Sequence, residues 1–168
     1  MPCFTMLCGV PASGKTRFAR FFLEANPNTV LISSDACVEE IARAEGLSYQ
    51  QSYAAHAAKV ADLIRARASD AMANDLDVLW DQTNLTREKR ADILALVPAR
   101  YRRIAMAFEA PQSVLAERHA QRELSNPREI PAAALAGQQA IYLRPDTSEG
   151  FDEVRLTQAP HFHLQAPA

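Results

Sequence analysis

The chain is poor in the features that mark several large protein classes. Its 168 residues include only three cysteines, Cys3, Cys8 and Cys37. They cannot all pair and show no metal-ligand spacing, which argues against a disulfide scaffold or a zinc module and for reduced packing residues in a cytoplasmic protein. No apolar run approaches the roughly 18–20 residues of a membrane-spanning helix. The first residues read directly into a strand, so no signal peptide is expected. The formal net charge of −2 argues against a general nucleic-acid coat or a basic membrane anchor, while leaving room for a local basic groove. No internal repeat is visible.

What is present suits one domain with a sizeable core: nearly half of the residues are hydrophobic, at 48%, and the length lies in the single-domain range. The domain is expected to span residues 1–158. The last ten residues, 159–168, hold two prolines and the pair His161 and His163, and read as a flexible tail.

The most informative stretch is Gly9-Val-Pro11-Ala12-Ser13-Gly14-Lys15-Thr16. It fits the phosphate-binding pattern GxxxxGK[ST] and has the required context. Phe4 to Cys8 reads as a buried strand before it. Arg17 onward reads as a helix after it, with Phe18, Phe21, Phe22 and Ala25 at helical spacing. Glycines at 9 and 14 permit a turn that aims several N–H groups at one anion, and the new helix adds its positive dipole end. Lys15 then supplies a point charge for the outer phosphates and Thr16 a hydroxyl for Mg²⁺. A chance match on an ordinary strand-to-helix turn is the alternative.

Strands and helices alternate along the rest of the chain. Strands are expected at 29–33, 76–80, 102–108 and at the end of 149–156, this last on a sheet edge. Helices are expected from Ser34 or Asp35 to about Gly46, from about Gln50 to Asn74, from Thr86 to Pro98, from Pro111 to Asn126 and from Pro131 to Tyr142. The long helix should bury Tyr53, Ala57, Val60, Ile64, Ala68 and Ala71. This pattern implies an α/β fold, a mostly parallel sheet of about five strands with helices on both faces. In such sheets ligands sit beyond the carboxyl ends of the strands. That rule gathers the loop after Cys8, Asp35, Asp81 and the segment after Phe108 into one site.

Asp35 lies just past the second strand. A carboxylate there could take the proton of a hydroxyl as it attacks a γ-phosphate; alternatively it caps a helix. Asp81 ends the third strand, where an acidic residue beside a phosphate loop can support Mg²⁺; alternatively it belongs to a turn with Gln82, Thr83 and Asn84. Arg118 and Arg122 stand four apart on one helix, with Arg128 beyond. They can reach over transferring phosphates or form an ordinary charged face with Glu117, Glu123 and Glu129. His56 reads as a partly buried packing residue, and His119 points away from Arg118. His161 and His163 lack further ligands for a metal. Arg100, Arg102 and Arg103 form a basic cluster at the opposite sheet end and read as solvated surface.

Taken together, these segments resemble the kinase domain of polynucleotide 5′-hydroxyl kinases and the bacterial AAA-type P-loop kinases related to them. The resemblance extends to about Leu156. It rests on Gly9 to Thr16 with Pro11, on Asp35, on Asp81-Gln-Thr-Asn84-Leu85, on Arg118 and Arg122, on Arg128 to Pro131, and on Glu149 to Glu153. It implies a P-loop kinase fold with an arginine-bearing lid, ATP and Mg²⁺ as cofactors, and a hydroxyl acceptor. Gly9, Pro11, Ala12, Ser13, Gly14, Lys15, Thr16 and Arg118 would bind nucleotide. Thr16 and Asp81 would serve the metal, and Lys15, Asp35, Arg118 and Arg122 would be catalytic. Two positions depart from the family. Val38 stands where an arginine holds the acceptor phosphate, and His119 replaces the asparagine after the first lid arginine. The donor half of the pattern is therefore complete and the acceptor half is not. The function expected is ATP-dependent phosphotransfer, first to a polynucleotide 5′-hydroxyl. A small-molecule or nucleoside alcohol and a nucleotide-binding regulatory module are the alternatives.

Overall fold

The computed structural model describes residues 1–125 and 132–158. Its centre is β1 (Cys3–Cys8), a strand in which five of six residues are buried. Alternation splits its side chains between two cores. Phe4, Met6 and Cys8 face one and Leu7 the other.

β1 is flanked on both sides. The sheet has five strands in the order β2-β3-β1-β4-β5, with β2 (Thr29–Ser33), β3 (Asp77–Asp81), β4 (Arg102–Glu109) and β5 (Glu153–Gln158). Every pairing is parallel. The expected edge position of the last strand is found. The middles of the central strands are largely apolar, as suits strands covered on both faces, and their charged residues lie at the strand ends.

Helices cover both faces. α1 (Lys15–Ala25) packs Phe18 and Ala19 on Leu7, Leu79, Ile104, Met106 and Phe108. The other face carries α2 (Ser34–Glu45), α4 (Ala57–Ala73) and α5 (Arg87–Leu94), through Val38, Ile41, Val60, Ile64, Ala68 and Ile93. α3 (Tyr49–Ala55) lies between α2 and α4 in the chain, and α6 (Gln112–Ser125) and α7 (Ala132–Ile141) follow β4. Of the first-helix residues expected at the core, Phe18 is buried, but Phe21 and Ala25 are exposed.

The expected long helix is in fact two, α3 and α4, meeting at His56. α3 begins in a capping box: Ser48 Oγ accepts from Gln51 N–H and Gln51 Oε1 accepts from Ser48 N–H. At the joint, His56 Nε2 lies 3.0 Å from Glu45 and Nδ1 lies 3.2 Å from the Ser52 carbonyl. The break shifts the helical phase. Val60, Ile64, Ala68 and Ala71 are buried as expected, but Ala57 and Tyr53 are exposed.

Smaller differences concern the caps. α2 is capped by Ser33, whose Oγ accepts from Ala36 N–H, rather than by Ser34 or Asp35. Thr86 caps α5 as expected, accepting from Lys89 N–H, and the helix ends at Leu94. Pro111 stands just outside α6, its carbonyl accepting from Leu115 N–H.

The basic cluster is structural rather than merely solvated. Arg100 bonds Asp75 and the Met72 carbonyl, Arg102 bonds Glu153 and Arg103 bonds the Val97 carbonyl. All three cysteines are free, and burial raises the Cys8 thiol to about 12. Among the described residues no helix is long and apolar enough to cross a membrane.

Candidate active site

The carboxyl ends of the strands are in register. Asp81 is paired across the ladders with Leu7 on one side and Ser33 on the other. The chain leaving β1, the chain leaving β2 and the end of β3 therefore share one edge, as the strand-end rule expects.

From β1 the backbone turns at Gly9 (φ 156°), where a Cβ would come within 2.7 Å of the Phe108 carbonyl oxygen. No side chain larger than hydrogen fits there without moving β4. Ala12 has φ 62° and Gly14 φ 108°. A non-glycine residue held in the left-handed region costs on the order of 1 kcal/mol or more and is concentrated at ligand clamps. Gly14 is the N-cap of α1 and supplies no side chain to cap it. The first amides of this helix thus point outward at its positive end, the arrangement that receives anions.

Lys15 is buried, with its Nζ donating to the carbonyls of Gly9 (2.7 Å) and Val10 (2.8 Å). Its ammonium therefore sits inside the turn rather than in solvent. Pro11 and Ser13 are buried, and Thr16 is exposed on the first turn of α1.

The two carboxylates differ. Asp81 is half-buried, and burial pushes its acid up to about 6; Lys15 pulls it back and the charge of Asp35 adds to the rise. Both residues are thus within electrostatic reach of it. Asp35 is exposed and accepts a hydrogen bond from the Tyr49 hydroxyl at 2.7 Å.

Two features escaped the sequence. Asn84 is buried at φ 48°, with its Nδ2 donating to the Leu7 carbonyl at 2.7 Å. Next to it, the Thr83 carbonyl accepts from Gly9 N–H at 2.9 Å. The segment after β3 is thereby stapled to the base of the phosphate loop. Beneath it lies Arg90, with 0% side-chain exposure. Its guanidinium grips Glu149 at 2.7 and 2.8 Å and donates to the carbonyls of Asn84 (3.0 Å) and Leu143 (2.9 Å). Sequence spacing held the signal: Arg90, Ile93, Leu94 and Val97 stand at i, i+3, i+4 and i+7, so the arginine occupies a core position of its helix.

α6 is brought against the loop by contact of Leu115 with Val10 and Leu85. Arg118 lies one turn further and is half-buried, and the neighbouring His119 is buried. Arg122 follows on the same helix, and its side chain falls outside the described residues, as do Arg128, Pro131 and the tail histidines. After Phe108, Glu109 is held by Arg144 at 2.6 and 2.5 Å. Val38 is buried in the core.

Among the described residues no group of three or more His, Cys, Asp or Glu could hold a metal. The Thr16 hydroxyl and the Asp81 carboxylate suit Mg²⁺ only with phosphate oxygens completing the shell, which is how that ion is commonly held.

Sheet order, phosphate loop and helix placement define an α/β P-loop kinase-like fold. The chain belongs to the AAA_33 family of AAA domains, whose model matches residues 4–145. That span stops short of Glu149. No curated protein matches the chain.

Solved structures share the fold. One is a protein of Chloroflexus aurantiacus assigned as a kinase, with TM-score 0.71, 19% identity, and coverage of 94% of this chain and 85% of that one. Another belongs to the Pnkp1/Rnl/Hen1 RNA repair complex, with TM-score 0.66 and 22% identity; the match covers 90% of this chain but only 46% of that one. A gluconokinase of Sinorhizobium meliloti 1021 has TM-score 0.57, 20% identity and coverage of 95% and 84%.

Proposed function

We propose that this protein is an ATP-dependent, Mg²⁺-requiring phosphotransferase that moves the γ-phosphate to a hydroxyl acceptor. One observation carries the reading: the ladder register sets Lys15, Asp81 and Asp35 around the uncapped amino end of α1.

In this reading the turn from Gly9 to Thr16, shaped by Pro11, Ala12 and Ser13, presents the amides of Gly14, Lys15 and Thr16 at the start of α1 to the β- and γ-phosphates. Lys15 exchanges its bonds to the Gly9 and Val10 carbonyls for phosphate oxygens. Thr16 and Asp81 hold Mg²⁺ together with the nucleotide, and the ion supplies neutralisation of the charge that builds on the leaving oxygens. Asp35 orients the acceptor hydroxyl and takes its proton, with its own carboxylate fixed by Tyr49. Arg118 and Arg122 reach over the transferring group from α6.

The first acceptor is a polynucleotide 5′-hydroxyl, in keeping with the RNA repair complex among the fold relatives. A small-molecule alcohol is the second, favoured by the burial of Val38, which leaves no arginine at the position that holds the acceptor's phosphate in polynucleotide kinases. The test is transfer of labelled phosphate from γ-labelled ATP to 5′-hydroxyl oligonucleotides, nucleosides and sugar acids in parallel. Label on an alcohol supports phosphotransfer and names its acceptor class. Label released only as inorganic phosphate would favour a nucleotide-binding regulatory module.

A further inference from the structure

On the acceptor side of Asp35 stands a built aromatic surface. α3 is a two-turn helix tied down at several points. Its start is locked by the Ser48–Gln51 capping box. Its middle is held by Ser52 Oγ, which donates to the Val38 carbonyl at 3.2 Å. Its end is pinned where His56 and Lys59 both meet Glu45 at 3.0 Å. On this platform Tyr49 and Tyr53 stand four apart and stack, with ring centroids 6.1 Å apart and planes 15° from parallel. Tyr49 touches Asp35 through its hydroxyl, while Tyr53 is 60% exposed. A large aromatic ring left in water, one helical turn from the tyrosine that bonds Asp35, is an effective surface for another flat ring.

The charges nearby define what that ring may carry. α2 has Asp35, Glu39 and Glu40 in its first two turns and its only arginine, Arg43, in the last. α3 carries no charged residue. Lys59 is engaged by Glu45 and Arg67 by Glu40. Among the described residues of α2 and α3, the charged groups nearest Asp35 in the chain are the carboxylates Glu39 and Glu40, which disfavour a phosphate on this face.

We propose that Tyr49 and Tyr53 form the acceptor subsite, which binds an alcohol through an uncharged planar ring, as in a nucleoside, and not through a phosphate. The proposal rests on the phosphotransferase reading above. Tyr53 stacks on the ring, and Tyr49 is a positioning residue that holds Asp35. The same chemistry could be offered by a free nucleoside or by the terminal residue of a 5′-hydroxyl oligonucleotide.

The experiment uses the full chain with Mg²⁺·ATP and four acceptors: uridine, uridine 3′-monophosphate, a 5′-hydroxyl uridine dinucleotide and gluconate. Calorimetric titration with Mg²⁺·ATP is run first. Binding there, with uridine preferred over uridine 3′-monophosphate in kcat/KM, is the expected result. Uridine better than the dinucleotide assigns the free nucleoside as source, a dinucleotide equal to uridine assigns the chain end with its phosphodiester adding nothing, and a dinucleotide preferred over uridine overturns the proposal. Tyr53→Ala should raise KM for the ring-bearing acceptor about tenfold, leave KM for ATP unchanged, and be rescued by Tyr53→Phe. Tyr49→Phe, which keeps the ring, should lower kcat several-fold more than it alters KM. A requirement for the 3′-phosphate, transfer to gluconate alone, or an unchanged acceptor KM in Tyr53→Ala overturns the proposal while the phosphotransferase reading stands. Absence of nucleotide binding in the first titration overturns both.

Discussion

The phosphate loop and the Asp35 face meet at one sheet edge, yet they are anchored in opposite ways. The loop grows from the most buried strand, is walled by the Phe108 carbonyl and is stapled from below by Thr83, Asn84 and Arg90. Its fixed atoms are backbone atoms. The Asp35 face is made of side chains on α2 and α3: Asp35 and Tyr53 are exposed, Tyr49 is partly buried, and Asp35 accepts from the Tyr49 hydroxyl. In the proposed reading the donor side is thus set by the backbone and the acceptor side by side chains, so substitutions on the acceptor side are expected to disturb the core less.

The contrast is tested most strongly at Lys15. Lys15→Ala should abolish measurable nucleotide binding by calorimetry and reduce transfer by about 10³-fold or more, since a preorganised charge and the cradle around it are lost together. Near-normal turnover would show that the loop does not hold the phosphates. Asp35→Asn should lower transfer by about 10²- to 10⁴-fold, with ATP affinity and the urea midpoint unchanged. A matching loss of stability would mean that the acceptor face is built into the core after all.

Arg90→Ala acts on the donor side alone. Removing one member of a buried ion pair costs about 3–5 kcal/mol, read as a lower urea midpoint, and the loosened Asn84 segment should weaken ATP binding as well. Arg90→Lys should not rescue, because an ammonium cannot span Glu149 and two carbonyls.

The smallest effect is at Asp81. Its acid is raised from 3.8 to about 6, chiefly by burial. The folded state therefore holds a proton that the unfolded state has released between these values. Stability contributed by Asp81 is complete below about pH 4 and is lost as pH rises through about 6. Asp81→Asn should accordingly stabilise the protein at pH 7–8 by at most about 2–3 kcal/mol and leave it unchanged at pH 4. A stability gain that is the same at both pH values would sever the link to ionisation.

Much of the donor side could be read directly from the chain because its determinants are local. A strand, two glycines, a lysine and a helix are adjacent in sequence, and alternation placed β2, β3 and β4 at the right residues. The helix break at His56 was hidden because Ala54, Ala55, Ala57 and Ala58 all favour helix. The interruption comes from Glu45 and Ser52, contacts that local propensity does not report. The nearby Ser48-x-x-Gln51 box was visible and marks the true start of α3. Arg90 was harder. Its partner Glu149 is 59 residues away, and a charged side chain is expected outside unless its helical phase is weighed. Tyr53 fits the buried stripe of an unbroken helix, and the break at His56 leaves it on the surface instead.

The Arg90–Glu149 pair also has a consequence for how the molecule is made. The loop of Gly9 to Thr16 is translated before Arg90, and the counter-ion for Arg90 follows 59 residues later, at Glu149. A nascent chain halted before Glu149 would bury a guanidinium with no carboxylate to meet it. The footing of the loop is therefore completed only after Glu149 emerges, and chains stalled before it should stay open to proteases.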